Sequence, residues 1–448
     1  MTNRLENLTG ALLDAAKKAG ADAADAMVGE ETSLSIDVLD GKLEHAERSE
    51  GVDLGLRVLI GQRQAIVSAS DASAATITTM AERAVAMARE APQDPYIGLA
   101  DQDQLALGWD IAELELEDPS AEPAPAALEE DARRAEQAAL TVSGVSQVQA
   151  ASAGYGRSAF HLAASNGFSG GYARTSRSTY AVAISGEGDA MERDYKSESR
   201  IFQADLPTPE EIGRQAGVRA VARAGARQPP TGTYPVLFDR RVSSSLIGHV
   251  LNAINGATIT RGGSWLRDAL GEIVLPEALS LVEQPHRRRI AGSKPFDGEG
   301  LPTSERKIID NGVLTGWILD LATARNLGMQ STGNAARGTS SGPSPSVSNV
   351  TLTSGARNPE EMLRDMGTGM MITSFMGSTI NPTTGEYSRG ASGFWVENGE
   401  VTYPVNECTI AGNLRDMLGR IIPSNDAEDH LSRRVPSLLL DGMVLAGG

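Results

Sequence analysis

The sequence predicts an α+β fold: an N-terminal mixed domain (1–228) with an antiparallel sheet and flanking helices, then a C-terminal domain (229–448) that is mostly an antiparallel β barrel or sandwich. Three observations lead there. Residues 1–90 pass from helical spacing to two-residue alternation and back to helical spacing. The run Arg227-Gln228-Pro229-Pro230-Thr231-Gly232 interrupts every period and sets the domain boundary. Beyond it, Asn-Gly dipeptides and short β-prone runs dominate.

The chain opens on an amphipathic helix over 5–19, where Leu5, Leu8, Leu12, Leu13 and Ala16 recur at helical spacing and Gly20 stands in the C-cap region. Residues 33–39 alternate as a strand, Asp40-Gly41 supplies a tight turn, 43–49 return as a polar strand, and Val52, Leu54, Leu56 and Val58 alternate again. After a turn at 61–63, residues 64–70 add a strand to this meander. A helix over 74–90 follows, with Ser73 as its N-cap, because a serine hydroxyl can accept from the first free backbone N–H groups. Between Pro92 and Pro125 the pattern dissolves into Pro, Asp and Glu, with Glu113, Glu115, Glu117, Asp118 and Glu122 close together. This reads as a solvated acidic connection; a calcium loop would need spaced oxygen ligands around a turn glycine. A helix over 126–141, strands over 145–153, 158–164 and 172–185, and a helix over 209–226 complete the first part. The breaks between those strands fall at 154–157 and at Asn166-Gly167.

In the second part, 233–238 is a short strand and 242–254 a helix. Asn311-Gly312 and Asn398-Gly399 tip two hairpins, 360–369 is a helix, and 340–348 is a Ser/Pro/Gly loop. No internal repeat is visible.

Composition bounds the function. A chain of 448 residues has room for about three domains or two large ones, and 40% apolar with 22% charged residues is ordinary for a globular protein. A formal net charge of −18 argues against nucleic acid, which is drawn to clustered Lys and Arg. The single cysteine, Cys408, allows no intrachain disulfide, so a reducing cytoplasm is the expected compartment. The N-terminus carries no apolar h-region, and no stretch reaches the roughly 18 apolar residues that span a bilayer, so no membrane contact is expected.

Candidate chemistry is sparse. The five histidines, His45, His161, His249, His286 and His430, never fall one helical turn apart, whereas a zincin-type site needs two on one helix face with a glutamate base. His249 therefore reads as an ordinary surface or packed histidine. Asp297 and Glu299 in Asp-Gly-Glu-Gly suit a cation or a substrate amine, but more simply a turn. Gly167-Phe168-Ser169-Gly170-Gly171 matches the Gly-x-Ser-x-Gly pattern, yet a strand follows it where a nucleophile elbow requires a helix. No phosphate-cradling glycine loop is present. Cys408 has no identifiable base beside it and reads as a small buried residue.

The run from Gly385 to Gly399, Gly-Glu-Tyr-Ser-Arg-Gly-Ala-Ser-Gly-Phe-Trp-Val-Glu-Asn-Gly, closely resembles the modulator-of-gyrase family, TldD and PmbA (TldE), and within it the TldE/PmbA branch. Pro295-Phe296-Asp297-Gly298-Glu299-Gly300, Asp310-Asn311-Gly312-Val313-Leu314-Thr315, Ser331-Thr332-Gly333-Asn334, Met366-Gly367-Thr368-Gly369 and Ile410-Ala411-Gly412-Asn413-Leu414 follow in family order. The first half agrees more loosely, through Gly51-Val52-Asp53-Leu54-Gly55-Leu56-Arg57-Val58.

This resemblance implies a cytoplasmic TldD/TldE heterodimer, a zinc peptidase of unfolded or short peptides, associated with leader-peptide removal and antitoxin degradation. In such a pair the TldD subunit carries zinc on His-Glu-x-x-x-His and a cysteine near its C-terminus. The corresponding helix here reads Ile247-Gly248-His249-Val250-Leu251-Asn252, so Ile247, Gly248 and Asn252 stand at the ligand and base positions, and 431–448 has no cysteine. The chain is thus expected to be the non-catalytic partner, with no catalytic or metal residues of its own and zinc in the TldD-like subunit. Tyr387, Arg389, Phe394 and Trp395, with Asp297 and Glu299, are its candidate substrate or subunit contacts. Phe394 and Trp395 are adjacent on a strand and point to opposite faces, so at least one is core. Two other readings stay open: an autonomous hydrolase using Ser169 or His249, and a peptide-binding homodimer formed without the partner.

Overall fold

The structure is a computed structural model that describes residues 2–447. In the first half the elements run α1 (Thr2–Ala19), β1 (Ala23–Leu39), β2 (Lys42–Ile60), β3 (Arg63–Ala69), α2 (Ala74–Glu90), α3 (Pro125–Leu140), β4 (Val145–Ala164), β5 (Ser169–Ser185), β6 (Glu192–Arg200) and α4 (Pro209–Ala222). The strands form one antiparallel sheet in the order β3-β2-β1-β4-β5-β6. Alternation decides which face each side chain meets. On β1 the even-numbered Ala24, Ala26 and Val28 at one end and Leu34, Ile36 and Val38 at the other are buried under helices: Leu5, Leu12 and Ala16 of α1 with Met80 and Ala84 of α2 over the first set, Leu128 and Ala132 of α3 over the second. Ala216 and Ala220 of α4 reach the same face beside Ala151 and Ala181. The opposite face carries Asp25, Met27, Phe160, Leu162 and Tyr172 toward the second half.

In the second half come β7 (Gly232–Phe238), α5 (Arg240–Ala253), α6 (Gly256–Thr260), β8 (Leu281–Glu283), β9 (Arg306–Asp310), β10 (Val313–Leu314), α7 (Leu321–Asn326), β11 (Ala335–Ala336), β12 (Ser344–Pro345) and β13 (Val350–Leu352). These are followed by α8 (Pro359–Met366), β14 (Gly369–Ile380), β15 (Glu386–Glu397), β16 (Glu400–Asn413), α9 (Leu414–Leu418), β17 (Ile422–Pro423), β18 (Arg433–Arg434) and β19 (Leu438–Ala446). Strands β16, β15, β14, β7 and β19 lie in sequence, and β16 pairs back with β19 to close a barrel. Its ladders are antiparallel except for β7 with β14. Helix α5 packs Leu246, Ile247 and Val250 into the cluster that contains the barrel residues Phe238, Met370, Trp395, Ile410 and Leu440. Among the described residues no helix is long and apolar enough to cross a membrane.

The α+β class and the closed, mainly antiparallel barrel agree with the sequence. So do the hairpin tips: Asp40-Gly41, Asn311-Gly312 and Asn398-Gly399 each place two successive residues at positive φ, the geometry that Asn, Asp and Gly tolerate best. Several element expectations are corrected. The runs 43–49 and 52–58 are one strand, β2, crossing Gly51 without a break. The predicted break at 154–157 is the middle of β4, where a Cβ on Gly154 would come within 2.9 Å of Ser178 Oγ; the glycine marks a close cross-strand approach. Helix α8 stops at Met366, and Gly369 already opens β14.

The segment between Pro92 and Pro125 is a further correction. It is largely without regular structure but is not merely solvated: Ala106, Leu114 and Leu116 are buried with Phe168, Tyr172 and Phe296, and the Trp109 ring lies 4.7 Å from that of Phe296. Four of its clustered acids, Glu115, Glu117, Asp118 and Glu122, have partners. Glu115 accepts from Arg289 Nε at 2.5 Å, Asp118 accepts from the backbone of Ser120 and Gln203 at 2.9 Å each, and Glu122 pairs with Arg48. The acidic segment straps the sheet face to the second half.

Candidate functional site

Helix α5 begins where Asp239 caps it, its carboxylate accepting from Arg241 N at 2.9 Å. The three positions matched to a metal motif then diverge. Ile247 is fully buried in the core, Asn252 is exposed, and Gly248 carries no side chain; a Cβ there would meet Arg433 Nη1 at 3.2 Å. Zinc needs imidazole, thiolate or carboxylate donors converging on one point, and these residues supply none. Among the described residues, no group of three or more His, Cys, Asp and Glu is arranged to hold a metal ion.

His249, on the same helix, packs its ring edge-on against Tyr387 of β15 with centroids 5.8 Å apart. Its Nε2 is buried without a hydrogen-bond partner, as is the Tyr387 hydroxyl. Burial, helped by the nearby Arg389 guanidinium, depresses His249 to about 4, so the ring is neutral at ordinary pH. Burial pushes the Tyr387 phenol up, Arg389 opposing it. Arg389 itself donates Nε–H to Gly377 O at 3.1 Å and stacks over Phe375, 4.1 Å from the ring centre. Of the four aromatic and arginine candidates, Tyr387 and Trp395 are core residues at 2% exposure each, while Arg389 and Phe394 retain surface. Trp395 donates Nε1–H to Glu397 at 3.1 Å and meets Tyr234 edge-on at 4.9 Å.

Asp297 and Glu299 play separate parts. Asp297 Oδ1 accepts from the backbone of Glu299 and Leu301, both at 2.9 Å, and Oδ2 from Ala335 N at 3.0 Å, which makes it the centre of a turn. Glu299 accepts from Leu321 N at 2.8 Å, at the start of α7. Burial, with Asp297 adding like charge, raises Glu299 to about 8, so it is mostly protonated at neutral pH. Nearby lies a cluster absent from the sequence reading: Asp25 of β1, Arg57 of β2 and Arg337 of the second half, all buried and ion-paired through Asp25. Its signal was present, since Asp25 and Arg57 interrupt apolar runs.

The Gly-x-Ser-x-Gly run enters β5, so no nucleophile elbow forms. Ser169 is nevertheless exposed, and its Oγ lies 3.3 Å from His161 Nε2. Cys408 is buried and donates Sγ–H to Ala391 O at 3.1 Å; burial holds its thiol up at about 11.

Three family profiles match this chain: the PmbA/TldA metallopeptidase domain 1 over residues 24–88, the central domain over 116–224 and the C-terminal domain over 231–447. A relative from Escherichia coli O157:H7, "Metalloprotease PmbA", is 37% identical over 95% of this chain and 92% of its own length. The chain belongs to the PmbA/TldD metallopeptidase family. A Haemophilus influenzae member, "Metalloprotease PmbA homolog", is 36% identical over 97% of this chain and 94% of its own length. A putative modulator of DNA gyrase from Bacteroides thetaiotaomicron superposes with a TM-score of 0.92 at 27% identity, covering 100% of both chains. TldE from Thermococcus kodakarensis shares the PmbA/TldD fold at a TM-score of 0.85, with 20% identity over 98% of this chain and 100% of its own.

Proposed function

We propose that this chain is the non-catalytic, TldE-like subunit of a cytoplasmic two-subunit zinc peptidase that acts on unfolded or short peptides. One observation carries the reading: where the resemblance sets ligand, base and ligand, the helix offers a buried isoleucine, a glycine and an exposed asparagine. Zinc then resides in a TldD-like partner bearing His-Glu-x-x-x-His, and this chain completes the chamber around it. An extended peptide is held there largely by main-chain pairing, which demands few particular side chains. Arg389 and Phe394, which keep accessible surface, supply side-chain contacts to the peptide or the partner, and Tyr387 and Trp395 brace them from the core.

The test is metal analysis of the purified chain, followed by peptide cleavage assays alone and with a His-Glu-x-x-x-His partner. The expected result is substoichiometric zinc, no cleavage alone, and cleavage in the mixture. One zinc per isolated chain overturns the proposal.

A further inference from the structure

Ser169 and His161 lie outside the region assigned above, and the hydrogen bonds around them accommodate a reactive proton arrangement. The Thr9 hydroxyl of α1 donates its only hydrogen to Glu6 O at 2.9 Å. With that hydrogen engaged, the same oxygen, 2.9 Å from His161 Nδ1, is free to accept from it, the arrangement in which the imidazole carries its proton on Nδ1. Nε2 is then a lone-pair acceptor. It faces Ser169 Oγ at 3.3 Å, and in this tautomer the serine hydroxyl is the donor. Burial lowers the histidine's pKa, with Glu6 opposing, which keeps the ring neutral. Thr9 is fully buried and His161 is 5% exposed, whereas Ser169 is open to solvent.

The surroundings supply two further requirements of acyl chemistry. Strand β6 covers β5 only from Arg177 to Ser185, so among the described residues the first half of β5 has no strand partner on its outer edge. Thr175 N–H reaches outward across that edge to Leu116 O, and by the strand's two-residue period the N–H groups of Ser169, Gly171 and Ala173 face the same side. Such donors suit a developing oxyanion. Gly171 and Ala173 line a cavity of about 620 Å³ whose walls are mainly apolar, Phe160 and Tyr172 among them, with Glu117 and Arg157 also lining it; Ser169 and His161 stand next to that lining, two residues along their strands. Gly171 stands directly opposite His161 in the ladder, and a Cβ there would meet Phe160 O at 2.2 Å before the imidazole at 3.2 Å.

We propose that Ser169 is a nucleophile activated by His161, with Thr9 as a positioning residue, acting on esters whose acyl group is apolar and small enough for this cavity. In the step, the Ser169 Oγ–H proton passes to His161 Nε2 as Oγ bonds to the acyl carbon. The ester C–O bond breaks, and the departing alcohol takes that proton. Water, deprotonated by the same nitrogen, then releases the carboxylic acid and restores the serine. Thr9 orients the imidazole but carries no charge to balance an imidazolium, so turnover is slow and the acyl-enzyme is the readily observed product.

The test uses the full-length chain with a fluorophosphonate probe and p-nitrophenyl butyrate, with peptide mass spectrometry to locate the adduct. Labelling on Ser169 is expected, abolished in Ser169→Ala and slowed about 100-fold in His161→Gln. Thr9→Val, which removes the acceptor for Nδ1–H, loses rate, while Thr9→Ser retains most of it. Circular dichroism of each variant separates lost reactivity from lost fold. Absence of any adduct on the wild-type chain, an adduct elsewhere, or equal Thr9→Val and wild-type rates overturns the proposal.

Discussion

Arg337 and Asp25, 312 positions apart in the chain, form an ion pair whose side chains are only 2% and 4% exposed. Asp25 also accepts from Arg57 Nε at 2.6 Å, so one carboxylate anchors two buried guanidinium groups, one from each half of the molecule. Among the described residues, Arg337 Nε and Nη2 have no hydrogen-bond partner.

Removing that carboxylate strands both cations. Asp25→Ala is expected to lower unfolding stability by about 3–5 kcal/mol, the usual consequence of breaking one side of a buried pair. Urea denaturation followed by tryptophan fluorescence reads this directly. Although burial alone would raise the Asp25 pKa, Arg57 and Arg337 together hold it below 3.8. The contribution is therefore fully present above pH 3.8 and is lost as pH falls from there through the depressed folded value.

Glu299 has the opposite sign. Its folded pKa is about 8 against 4.5 unfolded, so between those values the folded state holds a proton that the unfolded state has lost. Stability falls with rising pH across that window, by up to about 1.4 kcal/mol per pH unit, and the loss levels off above pH 8. Glu299→Gln keeps a neutral group and an acceptor for Leu321 N. The difference between wild type and variant in denaturation midpoint is expected to grow from pH 5 to 8 in the variant's favour; a constant difference contradicts the assignment.

Gly393 lies in the family-like run on β15, opposite Ile372. A Cβ there would sit 1.9 Å from Met371 O, a contact that backbone must move to relieve. Gly393→Ala is expected to destabilise the barrel by about 1–3 kcal/mol or more, lowering the melting temperature. An unchanged melting temperature would show that β14 and β15 can part without penalty.

Tyr387→Phe removes a buried hydroxyl that has no partner of good hydrogen-bond geometry among the described residues, Arg389 being a nearby donor, so the variant is expected to be as stable as wild type or about 1 kcal/mol more so. If the proposed bracing role is steric, the complex with a partner should assemble equally well. Measured loss of stability would reveal a hydrogen bond to that hydroxyl in solution.

Local signals were legible wherever the chain's own chemistry decides conformation. The helix over 74–90 and its Ser73 cap are found as read, with Thr76 N donating to Ser73 Oγ at 3.3 Å. The Asn-Gly and Asp-Gly tips follow from residue types that accept positive φ. Glycines within strands misled, because the same residue that ends a strand also permits close packing inside one, and only neighbours such as Ser178 distinguish the cases. The acidic segment misled for a related reason: Glu115, Asp118 and Glu122 look solvated until Arg289, Gln203 and Arg48 are brought beside them.

By itself the sequence determined the α+β class, the family, and the lack of metal-ligand residue types at Ile247, Gly248 and Asn252, since these depend on residue identity and short-range period. Tertiary structure decided which candidates share a site. It buried Tyr387 and Trp395, turned Asp297 toward backbone amides, brought Thr9 and His161 to Ser169, and joined Asp25 to Arg337. Those contacts link residues far apart in the chain, and the desolvation that sets their charge exists only once sheet, strap and barrel have closed over them.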